Sequence, residues 1–192
     1  SEDCRSARPL PLLVCASDVQ DARTAGALAR VSEVLGSSGL FVQEAAIAKS
    51  GSFVATSVGA GMWLPTLTVA TEALGAWLER QRASGYTIVA IEPCSAAPQC
   101  GQHKSNPLCQ SLVDYKFSPR TVLVLGDAKL GHSASTLGLV DVVVHVDPSP
   151  ICATRGTIGR GSLQPHISGA IAIWSYMRSQ LVAKGQSNLP TR

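Results

Sequence analysis

The stretch 121–146, TVLVLGDAKLGHSASTLGLVDVVVHV, decides the fold. Its two ends, TVLVLG (121–126) and DVVVHV (141–146), are short aliphatic runs suited to fully buried strands. Between them lies a glycine-bounded loop, GDAKLG (126–131), followed by Ser133 and Ser135, residues of the type that open and cap a helix. An aliphatic strand, a glycine loop and a helix entry in succession are one unit of an α/β chain.

The same alternation runs outward from this stretch. LPLLVC (10–15) reads as a buried strand, and DARTAGALARVSEVLG (21–36) as a helix with Ala25, Leu28, Val31 and Leu35 at helical spacing and Gly36 as its stop. LFVQ (40–43) is a further strand, followed by a small-residue stretch through Gly61. WLPTLTV (63–69) is a strand weakened by Pro65. TEALGAWLERQRASG (71–85) is an amphipathic helix with Thr71 as its cap, and YTIVAIE (86–92) a second strong buried strand. The last helix, about 165–181, carries Ile167, Ala170, Ile171, Trp174 and Leu181 on one face. Strand and helix alternating throughout predict an α/β fold, a parallel sheet with helices on both faces. Ligands in such sheets sit at the carboxyl ends of strands. The connections after Glu92, Leu125 and Val146 are therefore where function is sought. Those over 93–119 and 147–161 are long enough to carry it.

The bulk composition bounds the answer. At 192 residues, 45% hydrophobic and 15% charged, the chain reads as one well-packed domain over 1–192, with 1–9 a flexible edge and 183–192 a tail. A net charge of +3 permits an anionic partner without establishing one. No run approaches the roughly 18 apolar residues of a membrane helix, so no membrane partner is expected. SEDCRSARPL (1–10) lacks the apolar core of a secretory signal. Six thinly spread cysteines fit reduced thiols inside a cell, in cytoplasm or mitochondrion. Cys94, Cys100, His103 and Cys109 cluster without a CxxC pair. A loop with incidental thiols is favoured over zinc, and no metal is expected.

Three segments in order, TAGALARVSEVLGSSGL (24–40), TVLVLGDAKLGHSASTLGLVDVVVHV (121–146) and GSLQPHISGAIAIWSYMRSQL (161–181), resemble the three motifs of the SpoU/TrmH family of SPOUT RNA methyltransferases. SVGAGMWLP (57–65) and ASGYTIVAIEPC (83–94) are similar to its eukaryotic branch, the tRNA D-loop guanosine 2′-O-methyltransferase domain of TAR RNA-binding protein type. The resemblance implies a C-terminal trefoil knot, S-adenosylmethionine as cofactor, RNA (tRNA or rRNA) as substrate, and a homodimer or heterodimer through the knot region. By motif position it assigns Ile91, Gly126, Val146 and Leu163 to cofactor binding, largely through backbone groups. It gives catalytic roles to Arg30 and Ser162. Arginine is too weak an acid to serve as a base, but it clamps phosphate and steadies a developing alkoxide. Gly126 is expected to let backbone approach a ligand closely.

The chain departs from the family pattern at Thr24 and Gln164, where asparagine is usual, and at Ala128, where glutamate is usual. Thr24 retains hydrogen-bonding capacity and Gln164 displaces its amide by one methylene, but Ala128 can neither accept a hydrogen bond nor balance charge. Two functions stay open: an S-adenosylmethionine-dependent RNA ribose 2′-O-methyltransferase, or a catalytically degenerate subunit that binds RNA or pairs with an active paralogue, for example in ribosome assembly. His132 reads as a turn cap sooner than an RNA contact, and His145 as a core histidine. His166 falls near the expected active site. Trp174 is expected in packing or a dimer interface. Lys49, Lys104, Lys116 and Arg120 read as solvated sooner than phosphate-bound.

Overall fold

Val14, Leu123 and Val89 stand side by side on three neighbouring strands, each without solvent exposure. The computed structural model describes residues 9–92, 108–127, 131–147 and 163–185. The chain runs through β1 (Leu10–Ala16), α1 (Ala22–Val34), β2 (Ser37–Val42), α2 (Ala45–Lys49), α3 (Gly51–Ser57) and a 3-10 turn (Ala60–Met62). It continues with β3 (Thr66–Thr68), α4 (Thr71–Ala83), β4 (Thr87–Glu92), β5 (Leu108–Ser111), β6 (Thr121–Leu125), α5 (Ala134–Leu137), β7 (Val142–His145) and α6 (Pro165–Ala183).

The seven strands form one parallel sheet in the order β3-β2-β1-β6-β4-β7-β5. The expected α/β architecture is therefore present. Residues alternate between the two faces as strand geometry requires. Leu12, Val14, Val89, Ile91, Leu123 and Leu125 pack with Leu28, Phe53 and Ile173, the face covered by α1, α3 and α6. Cys15, Ile88, Ala90, Val122 and Val124 pack with Leu74, Trp77 and Leu78 of α4 on the other. Strands β6 and β7 each enter a slot between earlier strands, β6 between β1 and β4, β7 between β4 and β5.

Four local readings are corrected. The small-residue stretch after β2 contains α2 and α3, whose Gly, Ala, Ser and Thr residues leave little periodicity to read. Ser50 caps α3 by accepting the Phe53 N–H at 3.1 Å, and Phe53 anchors the helix in the core. The long connection after β4 includes β5, four residues at the sheet edge beside β7; residues 93–107 lie outside those described. Thr71 does not cap α4, since Ala70 is the cap and the Thr71 hydroxyl instead accepts a hydrogen bond from Gln43 Nε2 at 3.0 Å.

The fourth concerns α6. Its buried face is Pro165, Gly169, Ala172, Ile173 and Tyr176, whereas the predicted stripe is half-buried or exposed, with Ile167 and Trp174 open to solvent. The helix is apolar around most of its circumference, so spacing alone does not choose the inner face. Close approach does: a Cβ on Gly169 would lie 2.8 Å from Leu28 and 3.3 Å from Leu125. The Tyr176 hydroxyl, at the far end of this face, donates to the Pro119 carbonyl. A second apolar face is left uncovered.

Candidate functional site

Ile91 lies opposite Leu125 on one side and Val144 on the other. That register brings the chain out of β6, β4 and β7 side by side, so Gly126, Glu92 and Val146 leave one end of the sheet as neighbours. Ile91 itself is 3% exposed in the core, leaving its backbone as the part able to face a ligand. Val146 is half-buried and lines a cleft of about 750 Å³ with Tyr115, Phe117, Trp174 and Arg178. Leu163, exposed, leads into α6. Of the four positions assigned to cofactor binding, three are thus brought to one sheet end.

The turn after β6 is tied to Glu92. Asp127 and Gly131 exchange backbone hydrogen bonds of 2.9 and 3.1 Å, closing the chain on itself. The Glu92 carboxylate accepts the His132 backbone N–H at 2.8 Å and contacts the His132 Nδ1 through the same oxygen. The other ring nitrogen, Nε2, faces the Val124 carbonyl at 3.2 Å. Gly131 has φ +67° and sits against the carboxylate; a Cβ there would lie 2.4 Å from Glu92 Oε2. Gly126 is glycine for a related reason: its Cβ would meet the Gly131 carbonyl carbon at 2.6 Å and His132 Nδ1 at 2.8 Å. The approach it permits is first of all the turn's own backbone and the histidine ring.

Asp18, just beyond β1, belongs to the same cluster. One carboxyl oxygen is buried without a hydrogen-bond partner among the described residues. Burial raises its pKa above the ordinary carboxylate value, against the pull of His132 and a hydrogen bond with Thr136, while Glu92 and Asp127 add to the rise. Sequence reading passed over Glu92 and Asp18. The available signal was a carboxylate ending the aliphatic run YTIVAIE, where a buried charge demands a partner. His132 is buried and paired, so it is more than a turn cap.

The remaining assigned residues separate. Arg30 lies eight residues into α1, about 12 Å along its axis from the helix start. It is half-exposed and ion-paired with Glu33 at 2.6 Å. With Val31, Val34, Leu35, Ala170, Ile171 and Trp174 it lines a groove of about 620 Å³ between α1 and α6, in which Ile91 and Gly126 take no part. That groove sets the arginine beside α6. Thr24 completes the α1 cap, its hydroxyl donating to Asp21 at 2.7 Å and its N–H at 3.1 Å. Gln164 is the exposed cap residue of α6 and makes no side-chain capping bond. Ser162 and Ala128 lie outside the described residues, as do Cys94, Cys100, His103 and Lys104. Cys109 contacts His145 Nδ1 at 3.7 Å, and His145 Nε2 faces Asp147 at 3.1 Å. His166 Nδ1 is buried with no partner among the described residues. Ser133 caps α5 as expected, accepting the Thr136 N–H at 3.1 Å.

Residues 11–152, from β1 through the turn and β7, match the SpoU rRNA Methylase family. The chain belongs to that family. This SpoU-family chain is 30% identical over 89% of its length to the tRNA (guanosine(18)-2'-O)-methyltransferase TARBP1 of Mus musculus, and 22% identical over 70% to the tRNA (guanosine(18)-2'-O)-methyltransferase of Saccharomyces cerevisiae. It spans only 10% and 9% of the length of those relatives. Its fold is that of the SpoU methyltransferase AviRb of Streptomyces viridochromogenes in complex with AdoMet (TM-score 0.71, 22% identity, 94% of this chain and 62% of that one). The TrmH/SpoU tRNA modifying enzyme of A. aeolicus is similar too (TM-score 0.69, 19% identity, 94% and 80%).

Proposed function

We propose that this SpoU-family chain is an S-adenosylmethionine-dependent RNA ribose 2′-O-methyltransferase acting on tRNA, working as a dimer with a knotted C-terminal segment. The observation that carries the reading is the family match over 11–152, which includes both the glycine turn and the helix bearing Arg30. The likeness of most of the chain to two tRNA guanosine 2′-O-methyltransferases supports tRNA as the substrate.

The residues fit the cofactor. Main-chain groups following Ile91, Leu125 and Val144 converge at one sheet end, and backbone donors and acceptors can read an adenine edge whatever the side chain. Bound S-adenosylmethionine supplies an activated methyl group. The chain's own residues hold the turn, present the backbone and exclude water. Arg30 would clamp an RNA phosphate beside the ribose, displacing Glu33 from its guanidinium. Its place on the exposed groove between α1 and α6 suits a site shared between two subunits. Ser162 retains the assisting role the resemblance gives it.

The uncovered apolar face of α6 supports the dimer. Trp174 and Val34, which line the α1–α6 groove, are 46% and 59% exposed, and apolar surface of this kind marks an interface. The entry of β6 and β7 into slots between earlier strands supports a threaded C-terminal half. Incubation of purified protein with methyl-labelled S-adenosylmethionine and tRNA should label a ribose 2′-oxygen. No cofactor binding by calorimetry, together with no transfer to any cellular RNA fraction, would overturn the reading.

A further inference from the structure

Glu92 and His132 have no role in the functional reading above, yet their side chains are 3% and 0% exposed and face each other at the end of the sheet. Both ring nitrogens of His132 have a partner. The Glu92 carboxylate stands at Nδ1 of the imidazole and the Val124 carbonyl at Nε2, so an acceptor occupies each ring nitrogen. A neutral imidazole carries one N–H and an imidazolium carries two. A proton between the carboxyl group and Nδ1 and a second on Nε2 turn both contacts into hydrogen bonds, so the ring is held from both sides. The other charged groups around it are acidic as well: Asp18 beyond β1 and Asp127 in the turn, while α5 contributes the uncharged Thr136.

The pair also has mechanical reach. Glu92 is bonded to Ile91, and its carboxylate occupies the space a Gly131 side chain would need. His132 lies 2.8 Å from where a Gly126 Cβ would stand. Movement of either partner is therefore transmitted to both main-chain positions at the proposed methyl-donor site.

We propose that Glu92 and His132 are positioning residues that set the backbone of Ile91 and Gly126 for S-adenosylmethionine. The proposal rests on the functional reading given above. The contact is more than packing, because the carboxylate holds both the side chain and the backbone of His132 and thereby sets the exit angle of the turn.

The test is calorimetric titration of S-adenosylmethionine into the wild-type chain, Glu92→Gln, and the double variant Glu92→Met/His132→Leu. Glu92→Gln, which removes the carboxylate that serves both the ring and the backbone of His132, should weaken binding roughly ten- to hundredfold. The double variant replaces both partners by apolar groups and should melt close to wild type while still binding weakly, a split that mere core-filling would not produce. Unchanged affinity in Glu92→Gln, or affinity restored in the double variant, overturns the proposal and leaves the functional reading intact. Should the double variant fail to fold, Glu92→Asp, which keeps a carboxylate but draws it back by one methylene, keeps the question open to refutation: affinity equal to wild type overturns the proposal, and weakened affinity supports it. A wild-type chain that binds no S-adenosylmethionine sinks the functional reading, and the positioning role with it.

Discussion

Thr24 donates its hydroxyl hydrogen to Asp21 at 2.7 Å, so a position where the family usually places asparagine is here part of a helix cap. The bond ties the first turn of α1 to the connection leaving β1, the strand whose end also carries Asp18. A residue that departs from a catalytic pattern here contributes to stability.

Asp21→Ala should therefore lower stability by about 1 kcal/mol, the usual cost of losing a side-chain cap. The Thr24 hydroxyl, with the Thr24 and Arg23 N–H groups, holds the Asp21 carboxyl below its ordinary value. A depressed folded-state pKa contributes stability above the unfolded value and loses it as pH falls through the folded one. Urea denaturation of wild type and variant should show a gap at neutral pH that narrows on acidification below the ordinary carboxylate range.

Gln164→Asn places a better capping residue at the start of α6, where the present side chain makes no capping bond. Stability should rise by up to about 1 kcal/mol, read as an increase in Tm. Combined with Ala128→Glu, the change restores two of the family's usual residues. Single-turnover methyl transfer to tRNA should then rise above that of the unaltered chain.

Arg30→Ala should abolish most methyl transfer while changing stability by less than about 1 kcal/mol, because the Arg30–Glu33 pair is a surface contact between helix neighbours. Activity that survives the substitution would remove the phosphate-clamping role.

Trp174→Glu should convert the protein to monomers in analytical ultracentrifugation without unfolding it, since the indole is 46% exposed and lines the α1–α6 groove instead of the core. A dimer of unchanged strength would place the interface on another surface.

Cys15 lies at the centre of the sheet, fully buried, and burial pushes its thiol pKa up to about 11. The thiolate is the reactive form. Native protein treated with iodoacetamide at mildly alkaline pH should leave Cys15 unmodified by peptide mass spectrometry, and unfolding should expose it. Half-buried Cys109 should react first of the two.

The strands β1, β4, β6 and β7 were legible because their aliphatic runs admit only a buried extended segment. Helix α1 was legible from its apolar spacing and its stop at Gly36, which has φ +78°. Helix α3 was not, because its small residues carry little pattern and Phe53 is what binds it to the core. The site divides in the same way. Gly126 could be singled out from the glycine-bounded loop, but the contact that demands glycine there comes from Gly131 and His132 as they fold back.

What the linear chain determined alone was the alternation of strand and helix, and with it the parallel sheet and the family, since periodicity and motif order are properties of neighbouring residues. Which face of α6 turns inward, that Glu92 meets His132 across 40 positions of sequence, and that Arg30 lines a groove against α6 were decided only in three dimensions. Each depends on close packing between segments distant in the chain, where a missing methyl group or a buried polar group seeking its partner selects one arrangement among several that local pattern allows.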